Sequence, residues 1–158
     1  MPVRTIEARL PASGLRVALV VSKYHDFITD RLQAGSIAAL AAAGVTGDCV
    51  TVVRVPGSFE LPSAAQHAAE GGRFDAVVCL GCLIKGETPH MEFIASAVAH
   101  ALAAAAAATR VPMTFGVLTT NSVEEALARA GDGPDNKGWQ AATAAVEMAS
   151  VVAQLRKL

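Results

Sequence analysis

Charge is scarce in this chain. Asp, Glu, Lys and Arg make up 17% of its 158 residues, against about 25% in an average globular protein. The 13 basic and 14 acidic residues leave a net charge of −1 and are scattered along the chain. A nucleic-acid binder needs a basic patch or an aromatic-basic stripe, and neither is present. Aromatic residues are few, at 4%, with one Trp and one Tyr. Long apolar runs are missing too. The longest, Phe93 to Ala108, is mostly alanine and contains His100. It falls short of the ~20 residues that span a bilayer and reads as a buried helix, which alanine favours. The first residues lack the basic-then-apolar build of a signal peptide. A cytoplasmic protein with no membrane or nucleic-acid partner is expected.

The three cysteines cannot all pair. Cys79 and Cys82 form a C-x-x-C, the spacing of redox and zinc sites. Redox pairs of this kind begin a helix, where the thiolate is stabilised. Cys79 instead lies in an apolar run suited to a strand, whose geometry sends residues i and i+3 to opposite faces. A structural zinc needs a second ligand pair, and only Cys49 remains. The pair is therefore read as two small hydrophobes, and no cluster has metal-ligand spacing.

Apolar side chains are abundant. They make up 53% of the chain without glycine, above the ~45–50% norm that includes it. One domain over residues 1–158 is expected, burying about 68–70% of its unfolded surface. A lone domain of this size has too much surface for so little charge. Part of the apolar excess is expected between subunits of a homo-oligomer.

Strand and helix patterns alternate. The strands are read at Leu15 to Val21, Cys49 to Val55, Ala76 to Cys82 and Met113 to Leu118. A helix after the first strand has Asp26 to cap it and Gly44 to end it. The next helix runs from Ser58 to Glu70, tolerating Pro62 only in its first turn, and stops at Gly71-Gly72. A third, from Pro89 to Thr109, breaks at Val111-Pro112. Val123 to Ala130 and Asn136 to Leu155 complete the set. In the last helix Trp139, Ala142, Val146 and Ala149 form one apolar row, and Ala145, Met148, Val152 and Leu155 a second. Two rows exceed what one core contact needs. Val3 to Leu10 is a possible extra edge strand. Near-continuous apolar strands between helices indicate an α/β fold with a parallel sheet covered on both faces, in which ligands bind beyond the carboxyl ends of the strands.

The polar clusters all follow strands: Tyr24-His25, Ser58-Phe59-Glu60, Lys85 to His90, and Thr119-Thr120-Asn121. The richest runs from Asp75 to Glu92, where an apolar strand meets a glycine-containing loop and a helix opens at Thr88-Pro89. Thr88 suits the N-cap and Pro89 the first helical position. Unpaired N–H groups at that helix start would favour an anion beside Lys85 and His90, an imidazole able to move protons. Gly86-Glu87-Thr88 reads either as a phosphate cradle or as an ordinary helix entry. Glu60 can accept hydrogen bonds from hydroxyls or serve as a first-turn acid. Tyr24 offers a ring for stacking, while Phe59 and Phe115 suit either core or platform. Arg129 fits a helix C-terminus, whereas Lys137 at a helix start is locally unfavourable and hints at an anionic ligand.

The ordered set Asp26-Phe27-Ile28-Thr29, Val55 to Pro62, Leu80 to His90, Phe115 to Thr120, Arg129-Ala130-Gly131 and Asn136-Lys137-Gly138 resembles the lumazine synthase family of riboflavin biosynthesis. The resemblance covers nearly the whole chain. It implies a flavodoxin-like three-layer α/β/α sandwich with a four-stranded parallel sheet, and pentamers that in some members build shells, with active sites between subunits. It also implies a transferase that uses no cofactor or metal. That enzyme condenses 5-amino-6-(D-ribitylamino)uracil with 3,4-dihydroxy-2-butanone 4-phosphate, giving 6,7-dimethyl-8-ribityllumazine, phosphate and water. By position, Tyr24 would stack on the pyrimidine, while Ser58, Phe59 and Glu60 hold the aminouracil and its ribityl chain. Cys82, Leu83 and Ile84 would line the ring pocket through backbone groups. Gly86, Glu87 and Thr88 would bind phosphate, and His90 would transfer protons. Phe115, Arg129 and Lys137 would come from a neighbouring subunit, with Arg129 on the phosphate. The ring-stacking position more often carries Phe or Trp in that family, and His25 replaces a smaller polar residue. A silent flavin- or lumazine-binding protein is the alternative. A redox flavodoxin-like domain would need a phosphate loop after the first strand, where Ser22-Lys23-Tyr24-His25-Asp26 is bulky and glycine-free.

Overall fold

The four apolar runs become one sheet. In a computed structural model describing residues 1–158 the strands are β1 (Val17–Ser22), β2 (Val50–Val55), β3 (Ala76–Ile84) and β4 (Met113–Thr120). All pair in parallel, in the order β2-β1-β3-β4. Central β1 is buried throughout and β3 nearly so, whereas β2 and β4, at the edges, are partly exposed. Parallel strands covered on both faces need apolar side chains on both, and this explains their unbroken runs of Val, Ala and Leu.

The helices are α1 (Asp26–Ala42), α2 (Leu61–Glu70), α3 (His90–Thr109), α4 (Val123–Ala128) and α5 (Lys137–Leu155). On one face Val17, Leu19, Val21, Val78, Leu80 and Cys82 pack with Ile28, Leu32 and Leu40 of α1 and Ala142 and Val146 of α5. On the other, Ala18, Val20, Val77 and Cys79 pack with Leu61 and Ala65 of α2 and Val98 and Leu102 of α3. The architecture is the flavodoxin-like α/β/α sandwich, and Cys79 and Cys82 point into opposite layers.

Gly44 ends α1 as read, at φ +91°. Pro62 lies at the start of α2, after a 3-10 turn over Ser58–Glu60. Two expected caps differ. His25, not Asp26, precedes α1, with φ 59° and its carbonyl accepting from the N–H groups of Ile28 and Thr29. Asp26 falls in the first turn instead. At α3 the residue before the helix is Pro89, whose carbonyl accepts from the Phe93 N–H, and no side chain caps it. Thr88 therefore stays in the loop, and the starting donors of α3 are left free of side-chain partners.

The N-terminal segment is not an edge strand. No residue before Val17 joins the sheet. The segment runs beside α5 instead, where the Arg9 N–H donates to Ser150 Oγ at 2.8 Å and Gln154 Nε2 to the Glu7 carbonyl at 2.6 Å. These side-chain bonds replace a strand ladder.

The alanine-rich helix departs from expectation as well. At 20 residues α3 is long and apolar enough to cross a membrane by length and composition. Within the chain only Val98, Leu102 and Ala105 are buried. Alanine supplies helix propensity without bulk, so one narrow stripe suffices to dock it. On α5 the second apolar row is buried at Ala145 but opens toward its end, with Met148 45% and Leu155 49% exposed.

Candidate active site

Backbone bonds between loops assemble a cleft at the carboxyl ends of the strands. The Lys23 N–H donates to the Val55 carbonyl at 2.8 Å and the Tyr24 N–H to the Pro56 carbonyl at 3.2 Å, tying the loops after β1 and β2. The Lys85 N–H donates to the Thr120 carbonyl at 2.8 Å, tying the loop after β3 to the end of β4. The resulting cleft has a volume of about 1180 Å³.

Each wall comes from one segment. Tyr24 and His25 follow β1, and Gly57, Ser58, Phe59 and Glu60 follow β2. Leu83, Ile84, Gly86 and Thr88 come from β3 and its loop, and His90 from the first turn of α3. Tyr24 and Phe59 are 66% and 65% exposed, two apolar rings held at the surface of a concave site. The Tyr24 and His25 rings meet edge-on, 4.5 Å between centroids and 68° between planes, and Phe27 packs edge-on against His25. Desolvation lowers the His25 pKa, which favours the neutral imidazole beside the ring platform.

The Ser58 hydroxyl is buried and makes no hydrogen bond within the chain. Such a group costs about 1–3 kcal/mol, and here it packs over the bare Cα of Gly81, where a Cβ would collide with it. Burial pushes the Cys79 thiol up to about 12 and the Cys82 thiol to about 11, so both stay protonated at neutral pH. No group of three or more His, Cys, Asp or Glu residues converges to hold a metal.

Not every expected residue enters this cleft. Cys82 turns its thiol into the α1/α5 layer, and the Glu87 side chain lies outside the lining. Phe115, Arg129 and Lys137 occupy a different place, a groove of about 590 Å³ along β4 at the open edge of the sheet. There Arg129 Nη1 donates to the Glu125 carbonyl at 3.0 Å, and Lys137 Nζ donates to Gln140 Oε1 at 3.0 Å. The first bond is the helix-end role expected of a cation, made by a residue that also lines the groove.

Sequence reasoning missed Phe93, Ile94 and Ala97, which line the cleft with His90. Their spacing of three, four and seven residues from His90 marks one helix face. The spacing carries the signal, but an alanine-rich apolar helix has the composition of core.

Fold and cleft together define a class, the flavodoxin-like α/β enzyme that takes small-molecule substrates at the carboxyl ends of its strands. The sequence profile of 6,7-dimethyl-8-ribityllumazine synthase matches residues 14–153. Proteins of that name from Syntrophus aciditrophicus (strain SB) and Chlorobaculum tepidum are each 46% identical over 155 residues, spanning 98% of this chain and 100% of theirs. One from Chlorobaculum parvum is 45% identical, over 98% of this chain and 99% of its own. The chain belongs to the 6,7-dimethyl-8-ribityllumazine synthase family.

Proposed function

We propose that this protein condenses 5-amino-6-(D-ribitylamino)uracil with 3,4-dihydroxy-2-butanone 4-phosphate to give 6,7-dimethyl-8-ribityllumazine, phosphate and water. The observation that carries the reading is the convergence of a ring platform and an imidazole in one cleft of a family member. Tyr24 stacks on the pyrimidine. Ser58, Phe59 and Glu60 hold the aminouracil and its ribityl chain, and the backbone of Cys82, Leu83 and Ile84 edges the ring. Gly86, Glu87 and Thr88 receive the phosphate beside the uncapped start of α3, and His90 moves protons during imine formation, elimination and ring closure. These steps need reactants held together more than they need a strong nucleophile.

The same reading makes the protein a cytoplasmic homopentamer, or a shell of pentamers, in which residues 1–158 act as one domain. Phe115, Arg129 and Lys137 then complete a neighbour's cleft, and Arg129 binds the substrate phosphate. The groove at the open sheet edge and the bare face of α3 support this arrangement. Mixing both substrates with the purified protein and following lumazine absorbance tests the activity. Binding of the aminouracil without product would leave only a storage protein.

A further inference from the structure

Asn136 is 2% exposed and uses both ends of its amide. Its Oδ1 accepts from the N–H groups of Gly138 and Trp139 at 2.7 and 3.1 Å, capping α5. Its Nδ2 donates to the carbonyls of Gly131 and Arg31 at 2.8 and 3.1 Å. One side chain thus joins the end of the Arg129–Gly131 turn, the start of α5 and the flank of α1.

The surroundings are cut to admit it. A Cβ on Gly35 would collide with the Asn136 amide, and one on Gly138 would collide with the Leu32 carbonyl. Ser36 Oγ donates to the Gly138 carbonyl at 2.8 Å, closing the same seam. Between these anchors the Lys137 N–H donates to the Arg129 carbonyl at 2.9 Å. The two cations of the β4 groove are therefore bonded to each other through the backbone, and Asn136 fixes the loop on both sides of that bond. A cap alone requires only the acceptor oxygen. The two donated bonds into the loop and into α1 go beyond it.

We infer that Asn136 is a positioning residue for anion binding, holding Arg129 and Lys137 at a set spacing in the β4 groove. The inference rests on the proposed role of Arg129 at the substrate phosphate. An amide donating to two carbonyls fixes the loop against the α1 backbone, so the guanidinium meets its ligand without an ordering cost at the moment of binding.

Asn136→Ser tests this in the assembled enzyme. Serine keeps an acceptor for the α5 N–H groups but is too short to reach the Gly131 and Arg31 carbonyls. The KM for the butanone phosphate should rise about five- to tenfold, the loss of one or two hydrogen bonds, while the KM for the aminouracil and the saturating kcat stay within about twofold. Asn136→Asp, whose carboxylate caps the helix and repels both carbonyls, should give the same split. Ser36→Ala loosens the seam without touching the loop, and should lower thermal stability with both KM values unchanged. A normal phosphate-substrate KM in Asn136→Ser, alongside a raised one in Arg129→Ala, overturns this inference alone. An unchanged KM in Arg129→Ala removes the phosphate role of Arg129 and the inference with it. Failure of both Asn136 variants to fold would also overturn it, assigning the residue to the scaffold.

Discussion

His90 and Arg129 face different pockets of the same chain. His90 stands at the start of α3 in the cleft beyond the strand ends, whereas Arg129 lies in the groove along the outer edge of β4. The separation follows from topology. The loops that follow β1, β2 and β3 line the cleft, whereas the groove runs along β4, an edge strand, beside α5. On the proposed reading, a phosphate held by both residues lies between two copies of the chain.

For the proton-transfer role, His90→Ala should lower kcat by about 10²–10⁴ with both KM values within about twofold. Steady-state kinetics with each substrate varied in turn provides the check. An unchanged kcat would take His90 out of the mechanism.

The ring at position 24 should matter more than its hydroxyl. Tyr24→Phe keeps the stacking face and should leave the aminouracil KM nearly unchanged. Tyr24→Ala should raise it about three- to tenfold, the range of an aromatic contact. Equal effects in the two variants would reassign Tyr24 to hydrogen bonding.

The cysteines predict an alkaline limit to stability. Their folded pKa values, about 12 and 11, lie above the ordinary value of 9.0. Above that ordinary value the unfolded chain releases thiol protons that the folded chain retains, so stability present below pH 9 falls as pH rises toward 11 and 12. Denaturant titrations across that range should show the midpoint dropping, and Cys79→Ala should flatten the drop. The same slope in Cys79→Ala would place its origin elsewhere.

The strands were legible because parallel strands buried on both faces leave unbroken apolar runs, as Val17 to Val21 and Ala76 to Leu83 do. The opposite facing of Cys79 and Cys82 followed from the strand repeat alone. Helix ends were harder. Asp26 and Thr88 have capping chemistry, but a backbone turn at His25 and a proline at position 89 set the starts instead. The exposure of α3 was hidden because alanine suits a buried helix and a bare one equally. The division of the site was not visible in residue types either. Phe115, Arg129 and Lys137 follow strand and turn patterns that say nothing about which cleft they face, and their assignment to a neighbour came from the family resemblance.

The sharpest measurement is activity in mixed assemblies. His90→Ala and Arg129→Ala chains, co-expressed under different tags and purified together, would be assayed at low butanone phosphate, where each parent is weak. If the site joins two subunits, random mixing unites an intact His90 with an intact Arg129 in about one site in four, and activity should recover to about a quarter of the unmutated enzyme's. Activity no higher than the average of the two parents would mean that each chain builds its site alone, and would contradict the account.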